Sequence, residues 1–180
     1  AEGVHIADLD GDDRLDLVFT GFKATGPAAV DIYWGTGALF HTLNKTSLPS
    51  HNSSAISSAD LNKDGHLDLI VVNNNDWKKN QKVNSYIYWG GEAGFSSTKR
   101  IELPTMGASG VAVADLNNDT YLDLVFSNQH DGKTATIHSY IYWGSAKGFD
   151  ATKPDPLPTV GANSVRTFDL DGDKYMDIVF

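Results

Sequence analysis

Four stretches of the 180-residue chain carry side-chain oxygens at alternate positions within nine residues: DLDGDDRLD from Asp8, DLNKDGHLD from Asp60, DLNNDTYLD from Asp115 and DLDGDKYMD from Asp169. Counted from its first Asp, each has oxygens at positions one, three, five and nine. An apolar residue stands at positions two and eight of every copy. Such alternation turns hard donors to one side while the apolar pair anchors the turn to what lies beneath it. The chemistry it suits is capture of a hard divalent cation. Calcium takes roughly 6–8 oxygens from carboxylates, amide and backbone carbonyls and water, whereas magnesium prefers few protein ligands in a rigid octahedron. A single copy reads equally well as a solvated turn, because Asp, Asn and Gly favour turns. Four copies in register read as metal loops.

The candidate side-chain ligands are Asp8, Asp10, Asp12 and Asp16; Asp60, Asn62, Asp64 and Asp68; Asp115, Asn117, Asp119 and Asp123; and Asp169, Asp171, Asp173 and Asp177. Helix-flanked calcium loops also begin with Asp or Asn at positions one, three and five. By analogy with them, the backbone carbonyl at position seven (Arg14, His66, Tyr121, Tyr175) completes each shell. Here the closing acid comes at nine instead of twelve, and a strand follows where a helix would. Fourteen Asp occupy these positions, and carboxylates at such quarters repel strongly unless a cation sits among them. Four Ca²⁺ ions, one per loop, bring the formal net charge of −9 to −1.

The elements that must position these turns repeat with them. Successive loops start 52, 55 and 54 residues apart (8 to 60, 60 to 115, 115 to 169). DIYWG from Asp31, YIYWG from Tyr86 and YIYWG from Tyr140 follow the first three, and GFSSTKRIELPT from Gly94 matches GFDATKPDPLPT from Gly148. Each unit reads as four short strands rich in Val, Ile, Tyr, Phe and Trp and bounded by Gly, Asn, Asp and Pro. In the third unit they fall at 111–114, 122–127, 139–143 and a weaker one before Pro158. No segment shows sustained helical periodicity. Four strands per repeat of about 50 residues predict an all-β fold of antiparallel β-propeller blades. A β-sandwich is the competing fold, but it does not need its loops to repeat. About three and a third blades are present in a single repeat domain, 1–180, with blades near 1–52, 53–107 and 108–161 and a partial one over 162–180.

The acidic turn between first and second strands, at this period and with the YWG word, resembles the FG-GAP/VCBS repeats of calcium-binding β-propellers. Integrin alpha-chain propellers and many secreted bacterial proteins belong to that group. The resemblance implies a calcium-stabilised propeller at the cell surface or outside the cell. The family usually has Gly at position six; this chain keeps it only at Gly65, against Asp13, Thr120 and Lys174. If that position needs φ > 0, Thr120 suits it least, and the loop from Asp115 is expected to be the weakest site.

Other function classes find little support. The acidic balance argues against nucleic acid as partner, and no apolar run approaches the roughly 20 residues of a membrane-spanning helix. Cysteine is absent, and the chain, which starts without Met, reads as processed or excised. The six His form no zinc spacing, and no nucleophile motif or phosphate loop appears, so a non-enzymatic role is expected. Trp34, Trp89 and Trp143 recur at one place per blade and read as inter-blade core. Trp77 is unmatched, in the polar stretch NNNDWKKNQK. It reads either as an irregular loop or as a platform for a sugar ring.

In a meander, the loops 21–27, 73–81 and 128–134 gather on the face opposite the acidic turns, where Asn75, Asp76, Trp77, Asn128 and His130 are the candidate ligand contacts. Two functions follow: a structural, assembly or adhesion module, or a recognition module binding glycan or surface protein through that face. Three and a third blades leave strand edges bare. Either a longer propeller or other copies of the chain are expected to cover them.

Overall fold

Strands form on both sides of every acidic turn because short runs rich in β-branched and aromatic residues flank it; the second strands of the two inner blades are continuous apolar runs (69–72 and 124–126), buried on both faces. In the computed structural model, which describes residues 3–37, 40–41 and 43–180, the first sheet comprises β1 (Val4–Ala7), β2 (Asp16–Phe19), β3 (Ala28–Tyr33) and β4 (Lys45–Ser50). The second comprises β5 (Asn52–Ala59), β6 (Asp68–Asn75), β7 (Asn84–Tyr88) and β8 (Arg100–Pro104). The third comprises β9 (Ala108–Ala114), β10 (Asp123–Asn128), β11 (Thr136–Tyr142) and β12 (Asp155–Val160). A two-stranded sheet, β13 (Arg166–Phe168) with β14 (Asp177–Val179), closes the series. All pairings are antiparallel and each sheet keeps chain order, so these are propeller blades of the expected kind.

The fourth strand of the third blade runs through Pro158 instead of stopping before it. Proline is tolerated because β12 is the outermost strand, where a missing N–H faces solvent. Pro49 in β4 and Pro104 in β8 hold the same place.

First strands line the inside: β1 contacts β5, β5 contacts β9 and β9 contacts β13. Apolar residues from facing sheets then fill each gap. Val18, Val30, Ile32 and Leu48 of the first blade meet Leu69, Val71, Tyr86 and Tyr88 of the second. Ile70, Val72, Ile87 and Leu103 of the second meet Leu124, Phe126 and Tyr142 of the third. Trp34 stacks on Phe95 of the following blade at 6.3 Å, and Trp89 and Phe149 pack in the next gap. The hydroxyls of Tyr88 and Tyr142 donate to the Pro49 and Pro104 carbonyls of the preceding blade. Tyr33 occupies the equivalent position, on a face of the first sheet where Leu17, Phe19 and Phe22 help line an open cleft of about 930 Å³.

Candidate metal centres

Each acidic turn is wound by two residues with left-handed backbone. Position four has φ of 75° at Gly11, 61° at Lys63, 58° at Asn118 and 81° at Gly172; position six has 64° at Asp13, 87° at Gly65, 76° at Thr120 and 74° at Lys174. Only position six stood out in the sequence, since Lys63 and Asn118 conceal position four. For β-branched Thr120 this conformation is strained.

The winding aims backbone N–H groups at the first carboxylate. Asp8 accepts from Gly11, Asp12 and Asp13 at 2.8, 3.1 and 2.8 Å. Asp60 accepts from Asp64 and Gly65, Asp115 from Asp119 and Thr120, and Asp169 from Gly172, Asp173 and Lys174. The position-five Asp caps position seven: Arg14, His66, Tyr121 and Tyr175 donate their N–H groups to Asp12, Asp64, Asp119 and Asp173 at 2.8–2.9 Å.

The apolar pair does not anchor the turn to its own sheet alone but wedges it between blades. At position two, Leu9, Leu61 and Leu116 pack toward the following blade; at position eight, Leu67 and Leu122 pack toward the preceding one. Leu15 and Leu170, whose faces meet no neighbouring blade among the described residues, are 60 % and 59 % exposed.

The position-nine carboxylate is the most deeply set. Asp16, Asp68 and Asp123 are buried, and each accepts two backbone N–H bonds. One comes from position two (Leu9, Leu61 and Leu116, 2.8–2.9 Å), the other from the glycine of the YWG word (Gly35, Gly90 and Gly144, also 2.8–2.9 Å). A Cβ on Gly90 or Gly144 would lie 2.2 Å from the carbonyl oxygen of Leu67 or Leu122, so no other residue fits. The repeated glycine thus belongs to the acidic turn, a role that only its fixed spacing behind the acidic word could have signalled. Asp177 accepts from Leu170 N–H at 2.9 Å.

Electrostatics follow from this burial. The Asp68 carboxyl is pushed up to about 6, chiefly by burial, which outweighs its two backbone bonds, with further push from Asp64 and Asp60. Burial also raises Asp123, against the pull of its bonds to Gly144 and Leu116. Asp10 is raised by burial and then by Asp16 and Asp12. Ligand oxygens of Asp8, Asp10 and Asp16 lie within 4.8 Å of one another, as do those of Asp169, Asp171 and Asp177. In the two middle loops position three is Asn62 or Asn117, whose amide nitrogen donates to Asp64 or Asp119 at 3.0 and 3.1 Å. The middle sites therefore hold one carboxylate fewer. Crowded hard oxygens, with the carboxyls of Asp10, Asp68 and Asp123 held toward the neutral form, are the donor set a divalent cation fits.

Two side chains brace the turns from outside. Arg14 pairs with Asp12 at 3.0 Å. Lys63 spans two loops, donating to Thr120 Oγ1 at 2.9 Å with its ammonium 4.1 Å from the Tyr121 ring centre.

The other candidate contacts separate. Asn75, Asp76 and Trp77 share a cleft between the first and second blades. Asn128 is fully buried: its amide donates to His138 O at 2.8 Å and accepts from Met106 N–H at 3.2 Å, just as Asn73 joins Asn84 O and His51 N–H. It ties blade strands together. His130 lies in the next loop, where its Nδ1 accepts from Gly132 N–H.

The pattern of the FG-GAP-like repeat matches residues 8–71 and 60–126. Integrin alpha-6 of Homo sapiens is 29 % identical over 152 residues, 77 % of this chain and 13 % of that protein. Integrin alpha-3 of Cricetulus griseus is 27 % identical over 155 residues, 76 % of this chain and 14 % of that protein. Integrin alpha-7 of Homo sapiens is 29 % identical over 140 residues, 69 % of this chain and 12 % of that protein. The chain thus spans about an eighth of the length of these relatives.

Proposed function

Because the chain belongs to the FG-GAP-like repeat family, we propose that residues 1–180 act as one non-catalytic, calcium-stabilised propeller module with an adhesion-type role outside the cell or at its surface. The observation that carries this is that all four turns share one backbone winding, with carboxylate oxygens drawn within 4.8 Å of one another in the first and the fourth. Bound Ca²⁺ supplies the positive charge that offsets the mutual repulsion of these carboxylates. Asp or Asn at positions one, three, five and nine hold it, with the carbonyl of Arg14, His66, Tyr121 or Tyr175. Backbone N–H bonds preorganise the first and last of these acids, while Leu9, Leu61 and Leu116 join each turn to a blade interface. Loading therefore stiffens blade contacts as well as turns.

The open turns suit the roughly 10⁻⁴–10⁻³ M affinities of extracellular calcium modules, and similarity to integrin alpha chains supports the location and the adhesion role. The uncovered face with Leu17, Phe19 and Tyr33 takes another blade of this type, from a longer propeller or a second copy, with Tyr33 donating to a proline carbonyl there as Tyr88 and Tyr142 do.

Calorimetric calcium titration of stripped protein, paired with its melt, tests the calcium reading. Up to four ions should bind. Stability should rise by about 1.4 kcal/mol per site at a free ion level near ten times Kd. An unchanged melt, with stripping verified, would overturn the reading.

A further inference from the structure

The loop-rich face carries a second site that owes nothing to the acidic turns. A cleft of about 300 Å³ between the first two blades, at the lower end of the roughly 300–1,000 Å³ of small-molecule sites, brings Phe22 together with Trp77, Asn52, Asn75 and Gln81. Both aromatic rings are held open to solvent, Phe22 56 % and Trp77 45 % exposed. The Trp77 loop is built, not slack. Asp76 Oδ1 accepts from Lys78 and Asn80 N–H at 2.8 and 2.9 Å, and the Lys78 ammonium lies 5.0 Å from the Trp77 ring centre. Trp77 lines the cleft and Lys78 does not.

Behind the rings runs a relay of amides. Lys23 N–H donates to Asn52 Oδ1 at 3.0 Å, Asn52 Nδ2 to Asn75 Oδ1 at 3.0 Å, Asn75 Nδ2 to Asn74 Oδ1 at 2.7 Å, and Asn74 Nδ2 to Ala108 O at 3.1 Å. A primary amide has two N–H donors and two acceptor lone pairs. The relay fixes the orientation of each amide and leaves Asn75 an N–H and a lone pair to offer a ligand. Gln81 in the same cleft is buried, with an Oε1 that has no hydrogen-bond partner.

Flat apolar platforms beside oriented neutral amides match the two surfaces of a pyranose: a C–H face that stacks on a ring, and an edge of vicinal hydroxyls that both donate and accept. We infer that this cleft is a saccharide subsite, with a neutral pyranose lying against Trp77 and Phe22 and its hydroxyls bonded to Asn75. Phe22 comes from the first blade, whereas Trp77, Asn52 and Asn75 belong to the second, so the site exists only once the first two blades have docked.

The test applies saturation-transfer NMR and calorimetry to the full polypeptide in calcium, with methyl glycosides of glucose, galactose and mannose as probes, and a glycan array for multivalent display. For a ligand of this size, millimolar Kd is expected. Trp77→Ala and Phe22→Ala should each weaken binding by at least about tenfold with an unchanged melt, and Asn75→Ala should weaken it while leaving the stacking signal. The inference is overturned if no saccharide binds in either format. It also falls if binding survives both aromatic substitutions, or if those substitutions abolish capture of a protein partner while no saccharide binds.

Discussion

Asp68→Asn separates the charge of a position-nine residue from its hydrogen bonds. The wild-type carboxylate is buried, accepts Leu61 and Gly90 N–H at 2.9 Å each, and is pushed up from 3.8 to about 6. At about 1.36 kcal/mol per unit, ionising it at neutral pH in the calcium-free fold costs about 3 kcal/mol. The amide removes that cost. It keeps only one acceptor oxygen, so one of the two N–H groups faces an NH₂ and goes unpaired, a loss of about 1–3 kcal/mol. The two nearly cancel. The calcium-free variant should melt within about 6 °C of wild type, at roughly 2–4 °C per kcal/mol for a chain of this size. With calcium the balance changes, because the cation repays ionisation in the wild type and finds no carboxylate in the variant. The calcium-induced gain should shrink by about 1.4 kcal/mol at ten times Kd, with one fewer ion bound. Scanning calorimetry with and without calcium, beside a titration, reads both. An undiminished gain with unchanged stoichiometry refutes the ligand role. A calcium-free loss above about 3 kcal/mol refutes the cancellation and makes the backbone bonds dominant.

Tyr142→Phe strands the Pro104 carbonyl at a blade interface and should cost about 1–3 kcal/mol in denaturant melts; Tyr33→Phe should match that cost in a state where another blade covers the first sheet, and be nearly silent otherwise. Asn128→Ala leaves Met106 N–H and His138 O unpaired beside a cavity and should cost about 2–5 kcal/mol, a loss that sugar or calcium additions do not restore. Thr120→Gly relieves left-handed strain at φ 76° and should stabilise the calcium-free protein by about 0.5–1 kcal/mol while strengthening the third site, as a titration will show. For pH, the folded carboxyl of Asp68 sits above its unfolded value, so its favourable contribution is full below about 3.8 and fades as pH rises through about 6. Asp10 and Asp123 shift in the same direction. Calcium-free protein should therefore melt higher at pH 5 than at pH 7.5, and calcium should bind more weakly at pH 5; a calcium-free melt that rises with pH contradicts this.

What the sequence made legible was whatever repeats in residue type. Asp at one, three, five and nine recurs, so the turns and their period could be seen, and with them the blades. Backbone conformation recurs without residue identity: position four is left-handed as Gly11, Lys63, Asn118 and Gly172, and nothing in Lys63 advertises it. Gly90 and Gly144 were visible as letters, but their purpose depends on a carbonyl more than 20 residues away in the chain. Asn128 looked like a loop residue because Asn favours loops; it is instead the last residue of β10, beside a register shift, with its amide bonded to His138 O and Met106 N–H. Phe22 joined Trp77 only through packing between blades, which spacing along one chain does not reveal.

The glycine-to-carboxylate bonds close spans of 19, 22 and 21 residues within a blade, whereas the tyrosine-to-proline bonds close spans of 39 and 38 between blades. The acidic turns of the three complete blades are thus wired to their blade's first three strands and not to the outer strands β4, β8 and β12. Hydrogen exchange should divide the same way. Outer-strand amides should open first, and the amides of Gly35, Gly90 and Gly144 should exchange only when the turn itself lets go. If the turns hold calcium as proposed, those three glycine protons should report its occupancy, one for each complete blade.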